Sequence, residues 1–141
     1  MRGPYKYELL PKYPHMKPAD VAIWERFIAK FPEEYDSVDY DVKVGMGPAF
    51  DTVVNKPTNG DAIDLYKKKI DVVGYKGQSV HIIEVKPLAG SSALGQAKSY
   101  ELLYRRDVDQ VSPLKTRLIT DTIRTDMPFL QDWMEVEVIS V

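Results

Sequence analysis

Two short apolar runs, Ile70 to Tyr75 and Val80 to Val85, flank Lys76-Gly77-Gln78-Ser79 and predict a tight β-hairpin. Glycine at the first central position supplies the positive φ that a two-residue hairpin turn needs. Ser37 to Gly45 alternates Val38, Tyr40, Val42 and Val44 with Asp39, Asp41 and Lys43, the pattern of a half-buried strand. Pro18 to Phe31 reads as a helix, with Val21, Trp24, Phe27, Ile28 and Phe31 on one face, proline in its first turn and Pro32 as its stop. A second helical stripe runs through Ala93, Ala97, Tyr100, Leu103 and Tyr104, with Ser91 and Ser92 as expected N-caps. Leu114 to Thr120 predicts a strand, Met127 to Trp133 a short helix or turn, and Met134 to Val141 a last strand with Val136 and Val138 inward. The expected order is α-β-β-β-α-β-(α)-β, an α/β fold with a mixed β-sheet flanked by helices.

The hairpin carries charge where a core strand should not. If Gly77 and Gln78 form the loop, Lys76 pairs with Ser79 and Asp71 falls opposite Glu84. Directly opposed residues of an antiparallel pair have β-carbons roughly 5 Å apart. Alternation puts Glu84 and Lys86 on the face of Asp71, and turns His81, Ile83 and Val85 to the other. Burying such groups among Val and Ile is costly unless they are paired or hold a cation. Opposed carboxylates are hard oxygen donors for Mg²⁺ or Mn²⁺, which orient a phosphate, activate a water and neutralise a leaving oxygen. Lys86 can act on the same phosphate as a compact cation. Gln96 flanks the apolar stripe of the second helix, and a polar amide there needs partners.

Asp71 followed by Glu84-Val85-Lys86 resembles the signature of the PD-(D/E)xK nuclease superfamily, with Ile70 in place of the proline that gives the family its name. Gln96-Ala97-Lys98-Ser99-Tyr100 is similar to the QxxxY motif of the RecB-like and phage lambda exonuclease-like branch. The resemblance implies a restriction-endonuclease-like core and hydrolysis of phosphodiester bonds, of DNA in the first instance with RNA still open, in recombination, repair or phage DNA metabolism. It implies metal ligation by Asp71, Glu84 and the backbone carbonyl of Val85, water activation by Lys86, and orientation of lysine and phosphate by Gln96 and Tyr100. A glutamate of the first helix often joins such a site, and Glu25 is the best-placed match. The chain has no cysteine, which excludes the iron–sulfur members of the branch.

Composition bounds these expectations. The chain has 141 residues, enough for one domain with one core, and no apolar run approaches the ~20 residues of a membrane helix. The first residues, Met1-Arg2-Gly3-Pro4, do not open a signal peptide, so an intracellular, cytoplasmic protein is expected. Absence of cysteine removes thiol nucleophiles, and two histidines, His15 and His81, leave little for a histidine-centred site. The net charge of −2 is low for a nucleic-acid enzyme. Basic residues nevertheless gather in residues 1–17, at Lys67, Lys68, Lys69 and Lys76, and from Arg105 to Arg117. Lys67, Lys68, Lys69, Ser92 and Lys98 are the candidate nucleic-acid contacts.

Residues 1–17, rich in Pro, Tyr and Lys, read as an extended arm packed through Tyr5, Tyr7 and Tyr13. Residues 46–66 read as a long loop beside the hairpin, with Asp51, Asp61 and Asp64 as lesser metal-shell candidates. Two other functions share this sequence pattern. One is a non-catalytic module of the same fold serving nucleic-acid binding or assembly with a protein partner. The other is a dimeric, junction-specific endonuclease.

Overall fold

The computed structural model describes residues 2–45 and 68–141. Helix α1 (Pro18–Lys30) is followed by strands β1 (Ser37–Val44), β2 (Lys68–Lys76) and β3 (Ser79–Ala89), helix α2 (Ser91–Asp107), strand β4 (Leu114–Ile123), helix α3 (Met127–Met134) and strand β5 (Val136–Ser140). The five strands lie in sequence order, β1-β2-β3-β4-β5. The first two junctions are antiparallel and the last two parallel. A meander thus leads into two crossovers, through α2 and then α3. No helix among the described residues is long and apolar enough to cross a membrane.

The hairpin turn determines the register as its chemistry requires. Gly77 has φ 56°, and the ladder runs from Lys76↔Ser79 to Val72↔Ile83. Continuing that register sets Asp71 opposite Glu84.

Two cores form on opposite faces of the sheet. Under α1, Ile23, Trp24, Phe27 and Ile28 pack on Val38, Tyr40, Val72, Ile83 and Val85. The arm closes this side: Tyr5 exchanges backbone hydrogen bonds with Val38 at 3.0 and 3.1 Å, and Tyr7 and Tyr13 set their rings edge-on against Trp24 and Tyr40. Edge-to-face aromatic pairs contribute beyond their buried area, which gives a proline-rich segment without regular structure a fixed place. Under α2, Tyr100 and Tyr104 cover Val44, Ile70, Val73, Val80 and Ile82. Farther along the same helix, Ala93 and Leu94 meet Leu118, Met127 and Val136.

The expected alternation of β1 breaks at Asp41. Val38 and Tyr40 belong to the core under α1, whereas Val44, with Val42 partly buried, belongs to the core under α2. The helix caps differ too. Gly90, not Ser91 or Ser92, is the N-cap of α2 and makes no side-chain cap hydrogen bond; both serines are exposed residues of the first turn. Val136 is buried as expected, while Val138 is only partly so. Lys67 and the long loop with Asp51, Asp61 and Asp64 lie outside the described residues.

Candidate functional site

The β2/β3 ladder ends at Val72↔Ile83, and at the next level side chains take over from the main chain. The Asp71 N–H donates to Glu84 Oε1 at 3.4 Å, and the Val85 N–H donates to Asp71 Oδ2 at 3.0 Å. Each carboxylate thereby occupies a position that a backbone carbonyl would hold in a regular ladder. This explains how two acids fit inside an apolar hairpin: they satisfy amides that the diverging strands leave unpaired.

Burial and mutual repulsion shape the electrostatics. Glu84 is 1% exposed. Its carboxyl is pushed up to about 9 by loss of water and then by the Asp71 charge, against the opposing pull of the Asp71 N–H and the Lys86 ammonium. Asp71 is also raised, by burial first, with the Val85 N–H and Lys86 acting in the other direction. Two acids this close repel each other when both are ionised, so they titrate as a pair and burial favours keeping a proton on it. A divalent cation between them would relieve both causes, so the donor set fits a hard cation.

Lys86 follows Glu84 by two residues and is half-buried at the mouth of the fork. Its charge favours the ionised forms of Asp71, Glu84 and Asp20. On the α2 side, Gln96 Nε2 donates to the Tyr100 hydroxyl at 2.6 Å, one helical turn away. Tyr100 lies close enough to feel the charges of Glu84 and Asp71, and its phenol is held above its usual value, chiefly by burial. The structure therefore brings Asp71, Glu84, Lys86, Gln96 and Tyr100 to one place, between α1 and α2.

Glu25 does not join them. Its Oε2 accepts a hydrogen bond from the Tyr13 hydroxyl at 3.2 Å and lines a cleft with Leu10, Lys12 and Met16, beneath the arm. The carboxylate of α1 whose charge reaches the site is Asp20, in the first turn. Partial burial raises its carboxyl, with Lys86 and Lys17 pulling the other way. Asp20 precedes the fully buried Trp24 by one helical turn, so its place beside the apolar stripe was available from helical spacing. Among the described residues no three His, Asp or Glu side chains are close enough to hold a cation together. Asp71 and Glu84 would hold one with the Val85 carbonyl, water and substrate oxygens.

Of the candidate phosphate contacts, Lys98 pairs with Glu101 at 3.1 Å within α2. Lys68 is exposed and Lys69 half-buried, both on β2 before Asp71. Ser92 lines a cleft of about 280 Å³ with Leu88, Gly90, Ser91, Ala93 and Arg124 at the start of α2. His81 points away from the carboxylates: its Nδ1 lies 2.8 Å from the Tyr35 hydroxyl, and burial followed by the charge of Arg117 lowers it to about 4.

Five mixed strands, helices on both faces and paired acids at a fork in the sheet define an α/β domain with a restriction-endonuclease-like core. Solved structures share this fold. The chain resembles a repair endonuclease from Pyrococcus abyssi, with a TM-score of 0.53 and 16% identity, over 92% of this chain and 49% of that one. It also resembles the protein in an EndoMS-dsDNA2 complex, with a TM-score of 0.50 and 15% identity, over 96% of this chain and 48% of that one. The chain thus spans about half the length of either protein. No protein-family model matches the sequence, and no curated protein matches it.

Proposed function

We propose that this chain is a metal-dependent nuclease that hydrolyses phosphodiester bonds of DNA, of the PD-(D/E)xK type and the branch that carries a QxxxY helix. The carrying observation is the buried Asp71–Glu84 pair, each carboxylate anchored by a backbone amide of the other strand, with Lys86 beside it. The likeness in fold to a repair endonuclease and to a protein studied with double-stranded DNA supports the same reading. Asp71 and Glu84 would hold Mg²⁺ or Mn²⁺, with the Val85 carbonyl as a third donor. When bound, the cation supplies Lewis-acid polarisation of the phosphate and a more acidic water.

The residues of the chain do the rest. Two amide hydrogen bonds fix the carboxylates before substrate arrives, so little reorganisation accompanies binding. Lys86 orients the attacking water and offsets charge that grows on the phosphate oxygens. Gln96 is held by the Tyr100 hydroxyl on the α2 wall, where its remaining hydrogen-bonding capacity meets lysine or phosphate. The charge of Asp20 attracts the Lys86 ammonium from the α1 side.

The test is cleavage of linear, single-stranded, circular and branched DNA and of RNA with Mn²⁺ and then Mg²⁺, beside Glu84→Gln. Metal-dependent cleavage lost in the variant is the expected result and identifies the substrate class. A protein that neither cleaves any of these nor is stabilised by either cation is instead a binding or assembly module of the same fold.

A further inference from the structure

β1 and β2 pair from Ser37↔Tyr75 to Tyr40↔Val72 and again from Val42↔Ile70 to Val44↔Lys68. The position between them sets Asp41 across from Asp71, without a ladder pair. Asp41 has φ 55°, a left-handed conformation uncommon for a residue with a β-carbon and foreign to a strand. On its two sides the side chains change faces. Val38, Tyr40 and Val72 pack under α1, while Val42, Val44 and Ile70 pack under α2. Residues i and i+2 of a regular strand share a face, so both strands leave regular geometry at this one level. The β2/β3 ladder stops there as well, at Val72↔Ile83. Asp71 thus has no ladder partner on β1 or β3, and its amide and carboxylate turn to Glu84 and Val85.

We propose that Asp41 is a positioning residue for the carboxylate pair: its left-handed backbone opens the sheet at the level of Asp71 and so places both acids in the fork. The inference rests on the reading of that pair as a metal site. The arm braces the turn, because His15, itself at φ 52°, sets its Nε2 3.5 Å from Asp41 Oδ2. The backbone conformation carries the effect, and the side chain only steadies it. A β-branched residue at 41 resists positive φ and draws β1 back into regular pairing with Asp71. Glycine and asparagine adopt the left-handed conformation readily.

The experiment compares Asp41→Gly, Asp41→Asn, Asp41→Ala and Asp41→Val. In the metal-free proteins, amide NMR shifts of Asp71 and Val85 report the two hydrogen bonds that anchor the acids. Mn²⁺ titration, followed by melting temperature, reports affinity. Gly and Asn keep both amide signals near their wild-type positions and hold affinity within about threefold. Val moves both signals and lowers affinity by roughly tenfold or more, as outer-shell changes at metal sites do. Ala, which folds more readily than Val, shows the same change to a smaller degree.

The inference is overturned if Val or Ala folds with unmoved amide signals, or if Gly disturbs them as much as Val. If the wild type shows no response to Mn²⁺, the metal reading fails, while the amide signals still decide the role of Asp41.

Discussion

Replacing Glu84 by glutamine should make the metal-free protein more stable at neutral pH, although it removes a residue proposed to be essential. The Glu84 carboxyl sits near 9 in the fold against an ordinary 4.5, so between those values the folded chain holds a proton that the unfolded chain has released. Stability is then fully present below about pH 4.5 and declines as pH rises toward 9. One pH unit corresponds to about 1.36 kcal/mol for a single group. From 4.5 to pH 7.5 the span is three units, about 4 kcal/mol at most. The proton is shared with Asp71 and the fork opens toward solvent at Lys86, so about half of that, ~2 kcal/mol, is the reasonable expectation. The amide introduced by Glu84→Gln would keep the acceptor for the Asp71 N–H, carry no charge and donate to the Asp71 carboxylate.

For a chain of this length ~2 kcal/mol corresponds to a rise in melting temperature of about 7 °C. The assay is thermal unfolding in EDTA across pH 4.5 to 9. The variant should melt near the wild type at pH 4.5 and progressively above it as pH rises. Mn²⁺ at pH 7.5 should narrow or reverse the gap by stabilising the wild type alone. A variant equal to or below the wild type at pH 7.5 in EDTA, or a gap independent of pH, would refute the charge-burial argument.

Asp20→Asn should lower the rate of cleavage, whereas Glu25→Gln, whose amide oxygen still accepts from the Tyr13 hydroxyl, should leave both rate and stability nearly unchanged; parallel kinetics and melts separate the two, and loss of rate in Glu25→Gln would return that residue to the site. Lys86→Ala should abolish turnover while Mn²⁺-induced stabilisation persists, and retained turnover would remove the lysine from the mechanism. Tyr100→Phe should release the Gln96 amide and reduce kcat with about 1 kcal/mol lost in stability; a change in stability alone would make the pair purely structural. Gly74→Ala should be among the more damaging single-methyl changes, because the added β-carbon would lie 2.5 Å from the Tyr35 ring. For that variant, a melting temperature within about 2 °C of wild type, less than a loss of about 1 kcal/mol would produce, would contradict the packing.

The hairpin and its register were legible because turn chemistry and strand alternation agree. Gly77 dictates the loop, and the loop dictates that Asp71 faces Glu84. The order of elements followed from apolar periodicity for the same reason. What escaped the pattern lies where side chains replace backbone partners. An aspartate within Val-x-Tyr-x-Val reads as the solvent side of a strand, and nothing in that run marks Asp41 as left-handed. Glu25 looked suitable because it borders an apolar face, but it bonds the Tyr13 hydroxyl of the arm, and it is the acid one turn before Trp24 whose charge reaches the site. Ser91 and Ser92 have strong N-cap preferences, yet the extended Gly90 precedes the helix and takes the cap position.

The two tryptophans of the chain occupy opposite extremes. Trp24 is fully enclosed, its indole N–H bonded to the Tyr40 hydroxyl at 3.1 Å, whereas Trp133 on α3 is 78% exposed. Intrinsic fluorescence should therefore contain two separable emitters, a blue component quenched little by iodide and a red one quenched strongly. Loosening of the arm would shift the first, and occlusion of α3 by any partner would shift the second, so unlabelled protein can report which face responds to an added ligand.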